Sequence, residues 1–269
     1  MTKMDEICYL NILPNEIKDH IISFTKNKVS DLCLVNKYFD DNSKVIRIVD
    51  NLKYPKLTDT NLLILINLTT LKLSYGGITD KGIKGLINLT SLNLFINDII
   101  TDEGIKSLIN LTALNLGDNE IITNKGIQNL INIISLDLAG NNKITDEGLK
   151  NLTNLTDLNL PSNNIITDEG IRKLVSLSII NLSGNNKITD KGVKGLSNLT
   201  SLYLIKNNII TNEGIRKLTN LTYLDLEKND IITDDGIKNL TNLTSLSLYH
   251  NYTITDNGIK HLTNLIWSE

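Results

Sequence analysis

Three histidines and two cysteines are the chain's candidates for metal binding and nucleophilic chemistry, and their placement supports neither. His20, His250 and His261 include no two at metal-ligand spacing. Cys8 and Cys33 form no Cys-x-x-Cys pair, and neither has a histidine beside it to draw off the thiol proton. Lys81-Gly82-Ile83-Lys84-Gly85 imitates a phosphate loop, but Gly82 belongs to a glycine series that recurs along the chain, and no P-loop or Gly-x-Gly-x-x-Gly pattern occurs. Recurring aspartates such as Asp80, Asp102 and Asp146 raise the question of calcium, which needs clustered carboxylates. Here Asn124 and Asn212 occupy equivalent places, and a helix-capping role accounts for both residue types. No catalytic residue, metal ligand or cofactor is assigned, and the chain reads as a non-enzyme.

Those aspartates and glycines lie in a repeat. Ile-Thr-Asp/Asn-x-Gly begins at Ile78, Ile100, Ile122, Ile144, Ile166, Ile188, Ile210, Ile232 and Ile254, each 22 residues after the last. An irregular first copy begins at Leu57, as terminal repeats do. The second half of each unit is Leu-x-x-Leu-x-Leu-x-x-Asn, as in Leu92, Leu94 and Asn97. Alternating leucines predict a short strand with one buried face. The first half places Ile105 and Leu108 at helical spacing, with Thr101 or Asp102 able to cap the first free amides. One unit cannot bury its leucines, whereas stacked units cover one another. The asparagine after each strand (Asn119, Asn141, Asn163, Asn185, Asn207, Asn229 and Asn251 continue the series) is expected to satisfy buried turn backbone. The Asn-Leu-Thr triplets, as at Asn88 and Asn110, are read as part of the repeat rather than as glycosylation sites.

This pattern resembles the leucine-rich-repeat family over residues 57–269, as about ten 22-residue units. The resemblance implies an α/β solenoid, a curved parallel sheet backed by short helices. Its Ile-Thr-Asp-x-Gly-Ile/Leu segment is similar to the repeats of F-box proteins, and Asn-Leu-Thr-x-Leu to those of bacterial internalins.

Residues 1–50 do not repeat. Pro14 suits a first helical turn, followed by apolar Ile17, Ile21, Ile22 and Phe24. Leu32, Val35 and Phe39 make a second amphipathic stretch, and Val45, Ile46, Ile48 and Val49 a third apolar group. So small a helical unit has apolar surface to spare for a partner. Leu13-Pro14-x-Glu16-Ile17-x-x-x-Ile21 followed by Leu32-x-Leu34-Val35-Asn36-Lys37-Tyr38-Phe39 resembles an F-box over residues 8–47, with 48–56 as linker or cap. The resemblance implies docking on a Skp-type adaptor, and through it on a cullin–RING ubiquitin ligase, by Leu13, Pro14, Ile17, Ile21, Leu32, Val35 and Tyr38. Tyr38 departs from the tryptophan common at its place, and Phe24-Thr25 from the usual leucine-containing pair. A plain helical cap on the first repeat is the other reading of this segment.

A net charge of −3 speaks against a nucleic-acid surface, and no apolar run is long enough to span a bilayer. The cysteine count and the lack of a signal-peptide core favour an intracellular site, cytoplasmic or nuclear. A protein target is expected on the concave strand face, where middle repeats carry small or polar residues and late ones carry Tyr203, Ile205, Lys206, Tyr223, Asp225, Glu227, Lys228, Tyr249 and His250. Aromatics flanked by charges have the composition of interface anchors. Tyr75, Phe95 and Ile96 form a smaller group near the start.

Overall fold

Alternating leucines extend the backbone for three residues per unit, and the computed structural model, which describes residues 49–50, 58–63, 65, 68–74 and 77–266, assembles these strands into one parallel sheet. The ten strands are β1 (Val49–Asp50), β2 (Thr70–Lys72), β3 (Ser91–Asn93), β4 (Ala113–Asn115), β5 (Ser135–Asp137), β6 (Asp157–Asn159), β7 (Ile179–Asn181), β8 (Ser201–Tyr203), β9 (Tyr223–Asp225) and β10 (Ser245–Ser247), paired in chain order. One-turn helices return the chain, among them α1 (Asp59–Leu63), α2 (Asp80–Ile83), α3 (Asp102–Ile105), α4 (Asn124–Ile127), α5 (Asp146–Leu149) and α6 (Asp168–Ile171). The series continues with α7 (Asp190–Val193), α8 (Asn212–Ile215), α9 (Asp234–Ile237) and α10 (Asp256–Ile259). Register puts like on like, so that Leu92, Leu114, Leu136 and Leu158 form one buried ladder. Two residues of the stretch read as linker or cap join the sheet as β1. The F-box-like segment, with all seven of its adaptor-facing candidates, lies outside the described residues.

The core follows from the repeat. Ile100, Ile105, Leu108, Leu111, Leu114 and Leu116 of one coil are all essentially without exposure, and equivalents run from Leu62 to Leu262 in one cluster. A buried leucine contributes about 1.5–3 kcal/mol only when a neighbouring coil covers it. In the last coil Leu246, Leu248, Ile254, Ile259 and Leu265 are only partly buried, since no described coil follows.

Polar ladders join the coils. Asn163 is fully buried; its amide donates to the carbonyls of Leu138 (3.1 Å) and Asn141 (2.8 Å), and its oxygen accepts from the N–H groups of Ile165 (3.1 Å) and Ile166 (3.0 Å). Asn119, Asn141, Asn207 and Asn229 repeat all four bonds, and Asn97 and Asn185 repeat them with one donated bond each, as the sequence leads one to expect. The Asn-Leu-Thr triplet bonds in three directions: Asn110 donates to the Ile87 carbonyl (2.8 Å), Leu111 enters the core, and the Thr112 hydroxyl donates to the Thr90 carbonyl (3.1 Å).

The choice between threonine and aspartate as helix cap resolves into two jobs. The Thr101 hydroxyl caps α3 by accepting from Glu103 N–H (3.2 Å), while Asp80 of the preceding coil accepts from both Thr101 N–H (2.8 Å) and its hydroxyl (2.6 Å). The aspartate therefore ties coils together. This also explains the recurring glycine: a Cβ at Gly170 would sit 2.4 Å from Asp146 Oδ1, an atom already held by Thr167 N–H (2.9 Å). Where Asn124 and Asn212 replace aspartate, their amides donate to the hydroxyls of Thr145 and Thr233 (2.8 Å each), and these two threonines make no cap bond to their helices. Asn124→Asp should free the Thr145 hydroxyl to cap α5, raising stability by about 0.5–1 kcal/mol. Urea unfolding followed by circular dichroism reads the gain, and an unchanged midpoint would break this account of the cap.

Candidate functional site

The sheet face opposite the helices is where side chains are left over. The first and third residue of each strand are half-buried there in most coils, flanking a buried centre. Many of these side chains are already committed. At the third position Asn93, Asn115, Asp137, Asn181 and Asp225 each accept the backbone N–H two residues on, at 2.9–3.0 Å. This local turn tie was not legible as such in the leucine pattern. Asn115 and Gly117, expected on the open face as available surface, are in part scaffold: Gly117 is buried beneath Phe95, whose ring carbon a Cβ there would meet at 2.9 Å.

Tyr203 breaks this rule. It takes the third position of β8, where its ring cannot supply the acceptor that Asn181 gives Ser183. Instead it stacks on Tyr223 with ring centroids 4.8 Å apart and a 39° tilt. Burial, then the neighbouring Asp225 and Tyr203, push the Tyr223 phenol up from its ordinary value, so it stays neutral. Its hydroxyl lies 3.5 Å from an Asp225 oxygen.

The next residues extend the cluster across the last two coils. Lys228 donates to Glu227 (2.6 Å) and sits 5.3 Å from the centre of the Tyr249 ring. That bond to Glu227 is the main reason its ammonium is held above the usual lysine range. Tyr249 meets His250 edge-on at 4.2 Å, and His250 Nδ1 is 3.1 Å from the Tyr252 hydroxyl. Tyr249 is 63% exposed and Tyr252, which sequence reasoning passed over, 79%. Of the nine candidates, eight present surface in this region. Asp225 is 7% exposed and bonded to Glu227 N–H, so it positions its neighbours instead of meeting solvent.

The turn after each strand needs a left-handed residue, which glycine supplies freely at Gly140 and Gly184 (φ +62° each). Lys206 (φ +52°), Lys228 (+51°) and His250 (+54°) adopt it with long or bulky side chains, as Ile96 (+54°) does at the other end, whereas Asp118 (+48°) and Ser162 (+54°) do so in the middle coils with short polar ones. Each such choice costs about 1 kcal/mol relative to glycine. Tyr75 lies outside the described residues, leaving Phe95 and Ile96, both half-buried, as the early apolar group.

No group of three or more His, Cys, Asp or Glu that could hold a metal occurs among the described residues. No helix among them is long and apolar enough to cross a membrane. The fold is a solenoid with one open sheet face. The chain belongs to the leucine-rich-repeat family, whose model matches nine successive segments from residues 65–87 to 239–262.

Solved structures agree. An internalin from Listeria monocytogenes shares 27% identity and a TM-score of 0.58 over 76% of this chain and 67% of its own. A leucine-rich-repeat protein of Leptospira interrogans shares 30% identity and a TM-score of 0.65 over 86% of this chain, which spans 62% of that protein. A second listerial internalin, C2, shares 29% identity with a TM-score of 0.56, over 74% of this chain and 84% of its own. No curated protein matches the chain. The fold is one of protein–protein interaction.

Proposed function

We propose that this chain is the substrate-recognition subunit of an SCF-type ubiquitin ligase, gripping a target protein with its late sheet face and an adaptor with its amino-terminal segment. The observation that carries the recognition half is Tyr203, which gives up a backbone tie to stack with Tyr223 on the open face. The adaptor half rests on the F-box resemblance of residues 8–47. Holding target and adaptor on one chain raises the target's effective concentration at the ligase to the millimolar scale typical of linked partners, so no catalytic group is required here.

An adaptor pulldown tests this. The full chain should capture a Skp-type protein, and the Leu13→Ala, Pro14→Ala double variant should capture it at least about tenfold less, as loss of an interface anchor does. Equal capture by both, or capture by neither, would remove the ligase connection. The likeness to internalins favours a second reading, a leucine-rich-repeat binding protein with no ligase link, which keeps the target face and drops the adaptor.

A further inference from the structure

Between the early and late apolar groups the open face changes character. From β4 to β7 the turn row is small apart from Asp118: Gly117, Ala139, Gly140, Pro161, Ser162, Ser183 and Gly184. Phe95 leans over Gly117 at one end, and Tyr203 with Ile205 stands at the other. Low side chains between tall ones make a trough spanning five strand intervals, from β3 to β8, or about 24 Å at usual parallel spacing.

Its floor carries unmatched negative charge. Asp137 and Asp157 lie on the adjacent strands β5 and β6, and Asp118 is exposed at the turn after β4. No lysine, arginine or histidine occurs in the strand and turn segments 91–96, 113–118, 135–140, 157–162 or 179–184. Asp137 is supported by two donors, the Asn115 amide (3.0 Å) and Ala139 N–H (2.9 Å). Asp157 has one, the Ser135 hydroxyl at 3.2 Å. Across the register from Asp157 sits Ile179, half-buried, an apolar wall beside a carboxylate. A lysine or arginine stem packs along such a wall while its head meets the charge.

We propose that this trough takes an extended segment of a partner protein with a lysine or arginine at its centre and an apolar side chain toward each end. The central cation lies along Ile179 and pairs with Asp157 and Asp137; the end groups rest against Phe95 and against Tyr203 with Ile205. An extended chain covers the trough with about seven residues. The inference rests on the reading of this chain as a target receptor and specifies the chemistry of what it receives.

Burial, and secondarily Asp137, raises the Asp157 carboxyl above its ordinary value, against the opposing Ser135 bond. The sign follows: a folded-state pKa above the unfolded one means its contribution to stability is full below the ordinary aspartate range and is lost as pH rises through the raised value. Ionising Asp157 therefore costs the free folded protein, and a bound cation relieves that cost.

Selection of a random eight-residue peptide library on the full chain tests the proposal. Enriched peptides should carry a central lysine or arginine between apolar residues, and a labelled representative should bind about tenfold more weakly to Asp157→Asn, the scale of one desolvated charge pair. The same variant should melt no lower than the parent at neutral pH, which excludes misfolding as the cause. Enrichment without a central cation, affinity indifferent to Asp157→Asn, or no enrichment would each overturn it. Adaptor capture, and target capture by the tyrosine cluster, are read separately and survive those results.

Discussion

Replacing Asn163 with alanine is expected to cost about 4 kcal/mol or more, a large part of a domain's whole stability. The side chain is fully buried in the middle of the stack and serves four backbone groups: two carbonyls of preceding coils and two N–H groups of its own turn. Alanine leaves all four without their side-chain partner, and each orphaned group costs about 1–3 kcal/mol. Asn163→Asp should fare no better, since a carboxylate keeps the acceptor but aims negative charge at the Leu138 and Asn141 carbonyls. Asn110→Ala is the control. Its exposed amide makes one bond to Ile87, and its loss should cost about 1 kcal/mol or less. Because coils contact only their neighbours, the Asn163 variants should also divide a single unfolding transition into two. Urea denaturation monitored by circular dichroism measures both effects, and an Asn163→Ala loss no larger than that of Asn110→Ala would refute the ladder.

Much of this architecture is legible in the sequence because the same constraint is written many times. Leucine alternation, the asparagine after each strand and the 22-residue step each imply a coil that a neighbour must cover, and the structure has that form. Contacts between coils are harder to read. Asp80 and Thr101 stand 21 residues apart, so proximity in sequence suggests that each aspartate caps its own helix, whereas its carboxylate reaches the next coil. The recurring glycine follows from that contact and from no local turn. On the open face, composition distinguishes the aromatic coils but cannot tell a free polar side chain from one folded back on its own backbone. Asn115 and Asp225 both belong to the second kind. Tyr203 acquires its meaning only by comparison with them.

Converting Tyr203, Tyr223 and Tyr249 together to alanine should lower target capture by at least about a thousandfold, since buried tyrosine anchors commonly contribute about 2 kcal/mol each. A loss of that size alone would not separate binding from folding. Tyr203→Asn does, because the two effects have opposite signs. Asparagine restores at β8 the acceptor that Asn181 provides one coil earlier, here for Ile205 N–H, and should raise stability by about 1 kcal/mol. The same change removes the ring that stacks on Tyr223, so capture should fall. Lys206→Gly makes the parallel case in the backbone: it relieves a left-handed residue at φ +52°, for a gain of about 1 kcal/mol, while deleting a charge at the rim of the cluster. At these places the middle coils hold asparagine or aspartate in the strand and glycine or a short polar residue in the turn, so the ring of Tyr203 and the long side chain of Lys206 depart from what the fold itself uses. If the Tyr203→Asn protein melts higher and still captures its target at full strength, the late coils are not the recognition site.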